Sequence, residues 1–145
     1  MQRPCIILTL FVLSHMFHLR YTQAQWVQTS GPNGGYIYTL AASSTVGSGT
    51  NLFAGSNGGV WRSTNNGTSW TQVSTGLMNA FVYALTATPN GIGGANIFAG
   101  TNNGVFFSTN NGESWAQVNT GLTVMTINAL ASSPTGTGGT FIFAA

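Results

Sequence analysis

The residue types that ordinarily carry catalysis or metal binding are few in this chain, and most of them crowd one end. The charged side chains are Arg3, Arg20, Arg62 and Glu113, with no Lys and no Asp; His15, His18 and Cys5 precede residue 20. From Gln25 onward only one arginine and one carboxylate remain, with neither His nor Cys. Glycosidic hydrolysis ordinarily needs two carboxylates flanking the scissile bond, and Glu113 has no partner. Ser and Thr are abundant, but no His or Lys stands by to activate them as nucleophiles. Zinc and calcium sites draw on Cys, His and clustered carboxylates, which this stretch cannot assemble. The residues therefore predict no catalytic site, no metal and no cofactor. Function is expected at a surface instead.

The formal net charge of +2 comes from Arg3 and Arg20, because Arg62 and Glu113 cancel. It implies no nucleic-acid or anionic-membrane partner. The N-terminus itself reads as an export signal. A short basic segment, Met1-Gln-Arg-Pro, precedes the apolar run Cys5 to Leu13, and Thr22-Gln-Ala24 offers small residues for cleavage. The apolar run is too short to span a bilayer as a helix. Residues 1–24 are expected to be removed, leaving 25–145 as a secreted, periplasmic or cell-surface domain without disulfides, held together by burial. The alternative reading of 1–24 is a buried N-terminal helix.

The elements that would position any surface site repeat. Asn51 to Ala95 aligns without gaps on Asn96 to Thr140, with 25 of 45 positions identical. NLFAGSNGGV matches NIFAGTNNGV, STNNGTSW matches STNNGESW, and TQVSTGL matches AQVNTGL. Phe141 begins another copy, Gly35 to Thr50 resembles the tail of a unit, and Trp26-Val-Gln resembles Trp70-Thr-Gln. The organisation expected is a partial unit over 26–50, full units over 51–95 and 96–140, and the start of a further strand at 141–145. Such self-similarity points to a repeat architecture.

Within a unit, short apolar or alternating runs are separated by clusters of Gly, Asn, Ser and Thr, and no stretch holds a 3.6-residue period. Strands are predicted near Tyr36–Ala41, Asn51–Gly55, Gly59–Ser63, Trp70–Ser74 and Val82–Thr88. The second unit predicts them near Asn96–Gly100, Gly104–Ser108, Trp115–Asn119 and Ile127–Ser132. Asn57-Gly58, Asn66-Gly67, Asn103-Gly104 and Asn111-Gly112 are placed to turn the chain through positive φ. Four short strands per period is the arithmetic of a propeller blade. The expected fold is all-β, built of four-stranded antiparallel repeats.

Ser63-Thr-Asn-Asn-Gly-Thr-Ser-Trp70 and Ser108-Thr-Asn-Asn-Gly-Glu-Ser-Trp115 resemble the Asp-box, or bacterial neuraminidase repeat, whose pattern is Ser-x-Asp-x-Gly-x-Thr-Trp. The wider frame is most similar to secreted sortilin-like and photosystem II assembly-factor-like repeats, and it covers residues 26–145. The resemblance implies β-propeller blades. It also implies a structural role for Ser63, Asn65, Gly67, Ser69 and Trp70, and for Ser108, Asn110, Gly112, Ser114 and Trp115. Asn65 and Asn110 stand where the family has Asp, which keeps an acceptor oxygen and removes a carboxylate. Both tryptophans are expected to be buried alike. The sialidases of the family use an arginine cluster, a tyrosine nucleophile with a glutamate, and an acidic general acid, a set this chain lacks.

Positions that vary between units are the candidate ligand contacts: Trp61, Arg62, Phe81 and Tyr83, opposite Phe106, Phe107, Thr126 and Asn128. The function expected is a non-catalytic extracellular binding or scaffolding module for a protein or glycan. The alternatives are part of a propeller glycosidase and a photosystem-assembly-like factor. Two full units are fewer than a closed propeller needs. The chain is therefore expected to be an incomplete propeller, completed by further blades of a longer protein or by self-association.

Overall fold

The structure, a computed structural model, describes residues 29–32, 35–44, 49–90, 94–136 and 139–145. The expected export signal and the segment Trp26-Val-Gln lie outside the described residues. The described chain is all-β. Sheet 1 comprises β1 (Ile37–Ser44), β2 (Thr50–Ser56), β3 (Gly59–Ser63) and β4 (Thr71–Gln72) in that order. Sheet 2 repeats it with β5 (Val82–Pro89), β6 (Ala95–Thr101), β7 (Gly104–Ser108) and β8 (Ala116–Gln117). A two-stranded sheet 3 pairs β9 (Leu130–Pro134) with β10 (Thr140–Ala144). Every pairing is antiparallel. Among the described residues no helix is long and apolar enough to cross a membrane.

Each four-stranded sheet takes its first strand from the tail of one sequence repeat and its other three from the next. The registers agree across copies. Leu40 faces Ala54 as Leu85 faces Ala99, Phe53 faces Arg62 as Phe98 faces Phe107, and each first strand carries an irregularity at its second residue. Register is set by which residues can be buried. Consecutive residues of β2 and β6 bury on opposite faces, so repeating their pattern repeats the pairing.

The β2–β3 hairpin turns one residue later than expected, whereas in the β6–β7 hairpin the positive φ falls on Gly104 of the expected Asn103-Gly104 pair. At Ser56-Asn57-Gly58-Gly59 the positive φ falls on Gly59 (104°), not on the Asn57-Gly58 pair; in sheet 2 Gly104 carries it (98°). Ser56 Oγ and Thr101 Oγ1 organise the turns. Each accepts a backbone N–H two residues on, from Gly58 or Asn103, and donates to the carbonyl of Gly59 or Gly104. A side-chain cap of this kind replaces the primed turn that Asn-Gly pairs favour elsewhere.

The fourth strands are shorter than their expected spans, Trp70–Ser74 and Trp115–Asn119. The ladder runs one bond past β4 and β8, from Val73 N–H to the Val60 carbonyl (2.8 Å) and from Val118 N–H to the Val105 carbonyl (2.9 Å). Thereafter side chains take over: Val60 N–H donates to Ser74 Oγ (3.0 Å), and Val105 N–H to Asn119 Oδ1 (2.8 Å). β9 likewise opens at Leu130 rather than near Ile127. The Asn128 and Ala129 N–H groups both converge on the Ala145 carbonyl, while Ile127 N–H turns to Thr101 in sheet 2.

Sheets 1 and 2 pack face to face. Phe53, Val73 and Leu77 from one side meet Leu85, Ile97, Phe106 and Trp115 from the other, with Ala41 at the margin. Burying a large apolar side chain contributes about 1.5–3 kcal/mol, so this shared core is a main source of the fold's stability. Across it, Leu85 N–H also donates to Thr39 Oγ1 (3.3 Å), tying the two first strands together.

Candidate functional site

The two Ser-x-Asn-Asn-Gly-x-Ser-Trp hairpins follow β3 and β7 and have one internal geometry. In the first, Ser63 Oγ–H donates to Asn65 Oδ1 (2.9 Å) and accepts the Gly67 N–H (2.9 Å). Asn65 Oδ1 also accepts the Ser69 N–H (2.9 Å), and Asn65 Nδ2 donates to Ser69 Oγ (2.9 Å). In the second, Ser108, Asn110, Gly112 and Ser114 make the same four bonds at 2.8–3.0 Å. Asn66 and Asn111 take φ of 56° and 57°, followed by Gly67 and Gly112 at 85° and 84°. Asn and Gly are the residues that enter this region at least cost. An amide at 65 and 110 supplies both an acceptor and a donor, so each box closes with neutral groups alone.

The two box tryptophans part company. Trp115 is 6% exposed, its Nε1 donates to the Val73 carbonyl (2.8 Å), and its own N–H donates to the Thr75 carbonyl (2.9 Å). It is thus bonded into sheet 1. Trp70 is only half-buried, and its Nε1 turns back to the Gly67 carbonyl (3.1 Å) inside its own hairpin. Equal burial was expected from equal sequence. The difference arises because sheet 1 covers Trp115, whereas no four-stranded sheet among the described residues covers Trp70.

Arg62 and Glu113 meet across the two sheets. Arg62 Nη1 donates to the Asn111 carbonyl (3.0 Å) and stands 3.6 Å from Glu113 Oε1, so the arginine clasps the second box from β3. Arg62 is mostly covered and Glu113 mostly exposed. A hydrogen bond to a backbone carbonyl anchors this contact; the long, exposed ion pair adds little. Trp61, on the opposite face of β3, is half-buried, with its Nε1 covered and without a partner. Among the described residues, no three His, Cys, Asp or Glu side chains stand close enough to share a metal ion.

At the end of the sheets away from the boxes lies a group of aromatic rings. Tyr36 and Phe81 precede the first strands, and Tyr38 and Tyr83 lie within them. Asn102 fixes Phe81, accepting its N–H at Oδ1 (2.9 Å) and donating its own N–H to the Phe81 carbonyl (3.3 Å). Tyr38 and Tyr83 meet edge to face with centroids 5.4 Å apart; Tyr83 and Phe81 stack at 6.4 Å with planes 8° apart. Tyr36, Tyr38 and Phe81 are exposed, Tyr83 partly so. One repeat on, Thr126 and Asn128 stand at the matching positions ahead of β9, so this ring group does not recur there.

The structure therefore brings Phe81 and Tyr83 together and separates them from Trp61, half-buried on β3, and Arg62, which bonds to the second box. The sequence offers Tyr36, like Phe81 and Trp61, as an aromatic able to stack on a ligand, but Tyr38 was missed. Its signal was available, because Tyr36 and Tyr38 precede Phe81 and Tyr83 by one repeat length. Compared with protein-family models, curated proteins and solved structures, the chain matches none of them.

Proposed function

We propose that this chain is a non-catalytic, exported β-propeller repeat module of the Asp-box type, which binds a neutral ligand through the rings of Tyr36, Tyr38, Phe81 and Tyr83. The observation that carries the reading is that cluster. Tyr38, Tyr83 and Phe81 are in ring contact across two packed sheets, Tyr36 stands two residues before Tyr38, and all four leave ring surface in solvent where burial would otherwise be favoured. Large exposed apolar groups gathered in one place commonly mark a contact surface. Tyrosine offers a stiff, amphipathic surface that loses little entropy on binding. The surroundings carry almost no charge, which favours a glycan or another uncharged ligand over an ionic one. Arg62 supports the non-catalytic side of the proposal, since its guanidinium is engaged by the Asn111 carbonyl in holding the second box to sheet 1.

The test uses the exported chain on an array of neutral oligosaccharides, with hydrolysis assays on sialosides and xyloglucan in parallel. The expected result is retention without turnover. Tyr83→Ala is expected to weaken it by about tenfold or more, the loss of roughly 1.4 kcal/mol, with the melting curve little changed. Turnover of either substrate, or retention indifferent to Tyr83→Ala, overturns the reading.

A further inference from the structure

The backbone of the two boxes calls for a residue pair that is chemically labile. Asn66 and Asn111 take φ of 56° and 57°, and the residues after them take 85° and 84°. The second position also has no room for a side chain. A Cβ on Gly112 would lie 3.2 Å from Val73 Cγ2 and 3.4 Å from Phe53 Cε1, and one on Gly67 would lie 3.2 Å from Thr29 Cγ2. The turn is therefore met by Asn followed by Gly. In that pair a peptide chain attacks itself most readily, because no side chain on Gly hinders its nitrogen. The Gly amide gives up its proton to base, its nitrogen bonds to the Asn side-chain carbonyl carbon, and ammonia leaves. Water then opens the five-membered imide to aspartate or to isoaspartate, which lengthens the backbone by one methylene.

Four Asn-Gly pairs lie wholly among the described residues, and their Gly amides are held in different ways. In the boxes, the Gly67 N–H donates to Ser63 Oγ (2.9 Å) and the Gly112 N–H to Ser108 Oγ (2.9 Å). Both glycines and both serines are buried, which keeps base and water from the amide. At Asn111 the other end of the same peptide unit is held too, its carbonyl accepting from Arg62 Nη1 (3.0 Å). The buried Gly104 donates its N–H to the Met125 carbonyl (2.6 Å). Gly58 differs. Its N–H donates to Ser56 Oγ (3.0 Å), but Asn57 and Gly58 are both exposed. Ring closure needs the peptide plane to turn until the Gly nitrogen meets the Asn side chain, and a plane bonded to a buried hydroxyl turns only when that bond breaks.

We infer that Asn66 and Asn111 are latent sites of conversion to aspartate and isoaspartate, and that the box serines, Ser63 and Ser108, are the latches that keep them shut. Removal of the amide proton is the step shared with hydrogen exchange, so both processes wait on the same local opening. Conversion is also destructive. The imide consumes the N–H that each serine accepts, and the added methylene spoils the spacing that joins Ser108, Asn110 and Ser114 and sets Trp115 against sheet 1.

Peptide mapping of the folded chain during incubation at mildly alkaline pH tests it, each site being read from its mass gain and isoaspartate content. In urea the four sites are expected to convert at similar rates. Folded, Asn57 is expected to convert readily, while Asn66 and Asn111 are slowed at least about thirtyfold against the unfolded chain. Ser108→Ala is expected to quicken conversion at Asn111 by about thirtyfold, in step with exchange of the Gly112 amide, and to leave Asn66 slow; Ser63→Ala does the reverse. Gly104→Ala, which perturbs a different turn, is expected to leave both slow, and this separates a local latch from global unfolding. Box asparagines that convert as fast folded as in urea, or that keep pace with Asn57, overturn the inference without any variant. So does a cooperatively melting Ser108→Ala chain in which Asn66 and Asn111 quicken together, or in which neither does.

Discussion

Replacing Ser108 with alanine tests whether the boxes are held by their side chains or merely happen to contain them. Ser108 is 1% exposed, and its hydroxyl makes two bonds of hydrogen-bonding length, accepting the Gly112 N–H (2.9 Å) and donating to Asn110 Oδ1 (2.8 Å). A third contact, from the Asn110 N–H at 3.4 Å, is marginal. Removing the hydroxyl leaves Asn110 Oδ1 with the Ser114 N–H and access to water, at little cost. The Gly112 N–H is different, because the residue is buried and water cannot replace the serine. Stranding such a donor costs about 1–3 kcal/mol. The expected loss is about 2 kcal/mol, a midpoint drop of about 6–10 °C for a chain of this size. It should appear in urea unfolding followed by tryptophan emission, with exchange of the Gly112 amide quickened by about thirtyfold. Ser63→Ala breaks the same bonds in the first box and should cost the same. Asn110→Asp keeps the acceptor and should fall within about 0.5 kcal/mol of wild type at neutral pH. A Ser108→Ala loss below about 0.5 kcal/mol, or an unchanged Gly112 amide, would refute the reasoning.

Two further predictions concern the backbone and the contact between sheets. Gly104→Ala forces a side chain into φ of 98° and drives its Cβ into the Asn119 amide; urea unfolding should report a loss of about 2 kcal/mol or more. Arg62→Ala removes the donor to the Asn111 carbonyl and should cost about 1 kcal/mol. Glu113→Gln, altering only the exposed member of a 3.6 Å pair, should be near neutral, and equal losses from the two would refute the assigned order.

How much of this was legible beforehand depends on the range of the interactions. The box hairpins were readable because their bonds join residues at most four positions apart, between residue types that leave few alternatives. The sheets were readable because the repeat imposes a single register on two copies at once. The fourth strands were read too long. Apolar character at Val73 and Val118 extends the pattern, yet the ladder stops where Ser74 and Asn119 offer side-chain acceptors instead. The turn at Asn57-Gly58 was misassigned for a related reason: the buried hydroxyl of Ser56 selects the turn, and that hydroxyl has no distinctive spacing in the sequence. Arg62 and Glu113 looked unrelated at 51 positions apart; only the packing of sheet 2 on sheet 1 joins them.

The tryptophans separate sequence from environment most cleanly. Trp70 and Trp115 end hairpins with the same bonds at nearly the same lengths, so local chemistry gives them the same start. Their fates differ through non-local contacts: Trp115 finds the Val73 carbonyl and the Leu77 side of sheet 1, whereas Trp70 closes on Gly67. A repeat therefore specifies its own hairpins but leaves burial to its neighbours, and its stability accrues as much at the contacts between sheets as within them. This explains why the apolar residues of this nearly uncharged chain are so unevenly covered. Leu85 and Ile97 are enclosed, while Leu40, in the same place one unit earlier, stands in solvent. The same logic separates the aromatic rings of Tyr36, Tyr38, Phe81 and Tyr83 from this pattern. Those side chains lie at the end of the sheets away from the boxes, where Tyr38 meets Tyr83 between sheets 1 and 2 while Tyr36, Tyr38 and Phe81 keep ring surface in solvent.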